Sequence, residues 1–98
     1  MIAQVIITHL ESLGYEVRDT NLSLRSNGLN FPASTSGHLN VRVTTSIGKT
    51  TIVCIDEELA LVLVLDVRRD QVNHVIHLGT PDAIEHIESV LNDVLGRY

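Results

Sequence analysis

Aromatic residues and cysteine are scarce in this chain of 98 residues. Its aromatic side chains are Tyr15, Phe31 and Tyr98, so it lacks the stacking platforms that single-strand nucleic-acid binders use. Cys54 stands alone, which excludes an intrachain disulfide and favours the reducing cytoplasm as its compartment. Apolar residues surround Cys54 and Asp56-Glu57-Glu58 follows it, so we expect a buried, inert thiol rather than a catalytic one.

Basic residues and long apolar runs are scarce as well. Against 12 Asp and Glu there are 7 Lys and Arg, for a net charge of −5. Such a balance disfavours a nucleic-acid module built on Arg42, Lys49, Arg68 and Arg69, because displacing counterions needs a basic surface. No apolar run approaches the ~20 residues of a membrane span, and residues 1–13 lack the basic segment of a signal peptide. We therefore expect a cytoplasmic protein with no membrane or nucleic-acid partner and no cofactor.

The hydrophobic fraction of 44% and the length fit a single domain over residues 1–98. A helix is predicted over residues 2–13, with Gly14 as its left-handed C-cap. A second helix is predicted after Thr80 as N-cap and Pro81 as the first helical residue. The apolar stripes of the two helices are Ile2, Val5, Ile6, Leu10 and Leu13, and Ile84, Ile87, Leu91, Val94 and Leu95.

Between the helices the pattern predicts strands. Asn27-Gly28 is a strong hairpin turn between residues 22–24 and 29–31, and a loop of small residues follows over 32–37. Further strands are predicted over 39–44, 51–55 and 59–67, while residues 72–78 fit either a strand or a helix and their β-branched residues favour the strand. The predicted class is α+β, with a mostly antiparallel sheet of four to six strands flanked by an N-terminal and a C-terminal helix.

The apolar run from Leu59 to Leu65 is the most informative stretch. As a strand it is apolar on both faces, so both faces need a cover. We expect its leucine face to meet the two helices, and Ala60, Val62 and Val64 to form a partner-binding surface. Helices on opposite faces would instead cover both sides, and a two-fold dimer through the bare face or through an edge strand is a third solution.

A divalent-metal site is the alternative prediction. Asp70, His74 and His77 would share one face if residues 72–78 were helical. A strand would place the two imidazole rings on opposite faces and remove this site.

No catalytic grouping is evident, so a non-enzymatic function is favoured over an enzyme. The leading hypothesis is a small acidic interaction protein that binds itself or a protein partner through a sheet face or edge. A regulatory or inhibitory role, such as blocking a basic surface, would follow from its charge. The metal-binding protein or metal-dependent enzyme that uses His74 and His77 is the runner-up.

Overall fold

The computed structural model describes residues 2–19, 24–26, 29–31, 38–66 and 71–96. Within these ranges a helix lies at each end of the chain, with strands between them. In chain order the elements are α1 (Ile2–Ser12), β1 (Glu16–Asp19), β2 (Leu24–Ser26), β3 (Leu29–Phe31), β4 (His38–Thr44), β5 (Thr50–Asp56), β6 (Leu61–Asp66), β7 (Gln71–His77) and α2 (Ala83–Gly96). The predicted α+β class is confirmed.

The main sheet has five antiparallel strands in the order β1-β4-β5-β6-β7. The strands β2 and β3 pair separately, with Ser26 opposite Leu29, so a hairpin is present, but its first strand overlaps the predicted residues 22–24 only at Leu24. Its Asn27-Gly28 turn and the predicted loop over residues 32–37 lie outside the described residues. Residues 71–77 form a strand, as their β-branched residues favour.

The strand formed by the apolar run starts two residues later than the predicted start at Leu59. The strand β6 begins at Leu61, because Glu57 to Ala60 form the turn from β5. The carboxylate of Asp56 accepts the Leu59 N–H at 3.0 Å, and Ala60 adopts a left-handed backbone with φ of 54°. Leu59 is consequently 68% exposed instead of lining a strand face.

The helix α1 ends at Ser12, one residue before the predicted end, and Gly14 closes it as predicted. Its buried face differs from the predicted one. Gly14 has a φ of 96°, and the Tyr15 N–H closes the helix on the Leu10 carbonyl at 3.3 Å. The buried residues are Ala3, Ile6 and Leu10, whereas Val5 and Leu13 are 59% and 42% exposed. At the other end, the Ala3 N–H donates to the Glu57 carboxylate at 3.2 Å, which places a negative charge at the helix N-terminus.

The helix α2 begins at Ala83, two residues after the predicted start at Pro81. The Thr80 hydroxyl donates to the His77 carbonyl at 2.8 Å, so it stabilises the preceding turn. The buried residues of α2 include most of the predicted stripe: Ala83, Ile87, Val90, Leu91, Val94 and Leu95.

Both helices pack on one face of the sheet, which we call the helix face. In the core on this face, residues of α1 and α2 contact the valines and isoleucines that alternate along β4 to β7. The sheet contributes Val41, Val43, Val53, Ile55, Val62, Val64 and Ile76. The opposite face, which we call the second face, carries a smaller cluster of Ile52, Cys54 and Leu65 with Leu63 packed against it.

Candidate functional site

The residues predicted to bind a partner do not form one exposed surface. Val62 and Val64 are both 0% exposed and belong to the core beneath the helices. Ala60 is exposed, in the turn that precedes β6. The expectation that the leucine face of β6 meets the helices is wrong, because α1 and α2 cover the valine face and leave Leu61 and Leu63 on the second face, half-buried.

The two candidate metal-binding histidines are not brought together. His74 and His77 lie three positions apart on β7, so their side chains point to opposite faces of the sheet. Asp70 lies outside the described residues. Among the residues that the structure describes, no group of three or more His, Cys, Asp or Glu side chains could hold a metal ion.

The predicted buried thiol is confirmed. Cys54 is 1% exposed on the second face. Burial, with a smaller contribution from the negative charge of Asp56, raises the pKa of its thiol from 9.0 to about 11. A thiol with this pKa is protonated at neutral pH and is a poor nucleophile.

A cavity of about 590 Å³ lies beside the C-terminal end of α1 and the outer side of α2. Leu13, Tyr15, Glu85 and Glu88 are among its lining residues. Burial, and secondarily the charge of Glu88, raises the pKa of the Tyr15 phenol above its usual 10.0. The Tyr15 hydroxyl therefore stays protonated at neutral pH, and the adjacent carboxylates give this groove a negative charge.

The two edges of the main sheet differ strongly. The edge strand β1 has four residues, and its exposed Glu16, Arg18 and Asp19 are charged. Short, charged edge strands are protected against pairing with another chain. The opposite edge, β7, has seven residues and contains no Asp, Glu, Lys or Arg. No described strand pairs with its outer side, and Val75, one residue past its centre, is 49% exposed.

The hydrogen-bond register shows which groups β7 presents outward. The Leu78 N–H donates to the Ala60 carbonyl at 2.9 Å, at the end of the ladder in which Leu61 faces His77 and Leu63 faces Val75. Backbone groups in an antiparallel ladder alternate between the two sides of a strand. The N–H and C=O groups of Val75 and His77 therefore point away from β6, toward the free edge.

The lack of charged residues in Gln71–His77 could have been recognised from the sequence. Charged residues make up 19% of the chain, yet Gln71–His77 has none. The sequence did not show that this segment ends the sheet, because strand order depends on tertiary packing.

Comparison with known proteins finds no matching family model, no matching curated protein and no matching solved structure. In the described part of the chain, neither helix has the length and hydropathy needed to span a membrane.

Proposed function

We propose that this chain is a non-enzymatic interaction protein that associates with a second copy of itself, β7 pairing antiparallel with β7. The observation that carries the proposal is the outer edge of β7, which is seven residues long, uncharged and unpaired among the described strands. A two-fold axis makes such an edge its own partner. The two five-stranded sheets would then join into one continuous sheet.

The proposed register places Val75 opposite Val75 of the second copy. Outward-facing residues form the hydrogen-bonded pairs of an antiparallel ladder, and Val75 lies near the middle of β7. The two Val75 side chains meet on the second face, which removes from water a residue that is 49% exposed in the single chain.

The uncharged edge strand and the negative net charge of the chain together predict how salt affects the association. No charged residue of β7 faces another across the seam, so close-range repulsion is absent at neutral pH. Each chain nevertheless carries a net charge of −5, and two chains repel at longer range. Because salt screens this repulsion, we expect association to strengthen as ionic strength rises.

A cysteine cross-link tests this register. In a hydrogen-bonded antiparallel pair the Cα atoms are about 5.5 Å apart, which is within the range that a disulfide spans. Under mild oxidation, the Val75→Cys variant should give a covalent dimer. The native Cys54 should not compete, because it is buried and the pKa of its thiol is about 11. His74→Cys is the matched control, since His74 does not face itself in this register.

The two variants separate the possible outcomes. A covalent dimer from Val75→Cys, with little from His74→Cys, supports the proposal. More efficient cross-linking of His74→Cys would overturn the register, and a chain that stays monomeric at high concentration and high salt would overturn the self-association itself.

A second candidate function is the binding of a basic protein segment along the helices. It is favoured by the absence of Lys and Arg from both α1 and α2 and by the carboxylates of Glu85 and Glu88 in the groove beside Leu13. Titration with a lysine-rich peptide carrying an aromatic residue tests it. Glu88→Gln should weaken binding several-fold, and equal binding by the variant would contradict this function.

A further inference from the structure

A second cavity opens on the second face, beside the turn between β4 and β5. Its volume is about 380 Å³, and it is shallow and widely open to solvent. Its floor is apolar, with Ile52 8% and Leu65 6% exposed. Its walls include three threonines, Thr44, Thr50 and Thr51.

The threonine hydroxyls are already engaged within the protein. Thr44 donates to the Thr50 hydroxyl at 3.1 Å, and Thr50 donates to the Val43 carbonyl at 3.1 Å. The Thr51 hydroxyl donates to the carbonyl of Leu65. Their hydroxyl hydrogens are therefore already used, and the strong donor among the described lining residues is the guanidinium of Arg42.

Arg42 is an exposed cation without an ion-pair partner among the described residues. The register places it opposite Arg18 on β1, so the two positive side chains share the second face. Arg18 is neutralised by Glu16, at 2.8 Å from Nε to Oε1. No carboxylate is among the described residues that line the cavity.

We propose that this cavity binds a small amphipathic carboxylate. Its carboxylate group would accept hydrogen bonds from the Arg42 guanidinium, whose planar fork fits a carboxylate. Its apolar body would lie on Ile52 and Leu65. A simple inorganic anion would leave that apolar floor uncovered, and a neutral apolar molecule would leave the cation unpaired. The described lining residues belong to β4, β5, the turn between them and β6, and none belongs to β7, so this site shares no residue with the proposed seam.

Amide chemical shifts of the full ¹⁵N-labelled chain test the site, with sodium octanoate, 1-octanol and inorganic phosphate as separate probes. Octanoate should give saturable shifts at Thr50, Ile52 and Leu65, and the other two probes should bind at least about tenfold more weakly. Arg42→Gln should weaken octanoate binding by about tenfold or more. Arg18→Gln is the matched control and should change the affinity less than about threefold, because Arg18 is already paired.

Each alternative result overturns the proposal in a recognisable way. Equal binding of octanol means a purely apolar site, and equal binding of phosphate means a general anion site. Equal losses in the Arg42 and Arg18 variants mean that the positive field alone attracts the ligand. Absence of saturable shifts with octanoate means that the cavity binds no such carboxylate.

Discussion

Shortening Val62 tests which face of β6 the helices cover. Val62 is 0% exposed and lies in the core with residues of both helices. Val62→Ala removes the equivalent of two methylene groups, which costs about 1.6 kcal/mol in transfer free energy. The cavity left behind raises the expected loss to about 2–3 kcal/mol. A chain of 98 residues has a free energy of unfolding of about 5–15 kcal/mol, so this loss is a large fraction of it.

The matched control is Val5→Ala, which deletes the same atoms from a side chain that is 59% exposed on α1. We expect it to change the free energy of unfolding by less than about 0.5 kcal/mol. Urea unfolding followed by circular dichroism measures both variants, with an expected midpoint shift of about 1–2 M for Val62→Ala. Equal, small losses in the two variants would refute the assignment of the valine face to the core.

Two further predictions concern stability. The pKa values of Cys54 and Tyr15 are raised in the folded state, so both groups hold their protons more tightly there than in the unfolded chain. Their contribution to the free energy of unfolding should be fully present below about pH 9 and should decrease as pH rises. The loss from Cys54 should reach about 2–3 kcal/mol toward pH 11. Cys54→Ala should flatten this slope in denaturant titrations at successive pH values, and an unchanged slope would exclude Cys54 as its source. Ala60→Gly should raise the melting temperature, with a gain of about 0.5–1 kcal/mol, because Ala60 has a φ of 54° that glycine adopts without strain; a lower melting temperature would contradict this.

Local signals in the sequence predicted much of the fold. Gly14 was identifiable as a C-cap because glycine adopts a positive φ without steric cost, and it has a φ of 96°. The β-branched residues of segment 72–78 favoured a strand, and the structure has a strand at Gln71–His77. The α+β class followed from the order of these elements along the chain.

The orientation of β6 was not predictable in the same way. A strand with apolar residues on both faces has no alternation to indicate which side meets the helices. The larger leucines suggested the core, yet the valines at positions 62 and 64 pack beneath the helices. The extension of the turn between β5 and β6 through Leu59 and Ala60 was also missed, because it depends on the Asp56 carboxylate reaching the Leu59 N–H.

The candidate sites were less predictable than the fold, since they depend on neighbours that are distant in sequence. The free edge at β7 depends on which strand ends the sheet. The lack of an ion-pair partner for Arg42 among the described residues depends on its register with Arg18 and on the ion pair between Arg18 and Glu16. Strand order and register arise from tertiary packing, which no single segment of the sequence contains.

Light scattering across a range of protein concentrations tests the central claim, self-association through β7, most directly. The wild-type mass should rise from one chain toward two as protein or salt concentration increases. Val75→Lys should remain monomeric, because it places like charges opposite each other at the two-fold axis. Val5→Lys, with its change on the exposed side of α1, should behave as the wild type. A wild-type mass of one chain at every concentration, or a Val75→Lys variant that dimerises equally well, would contradict the account.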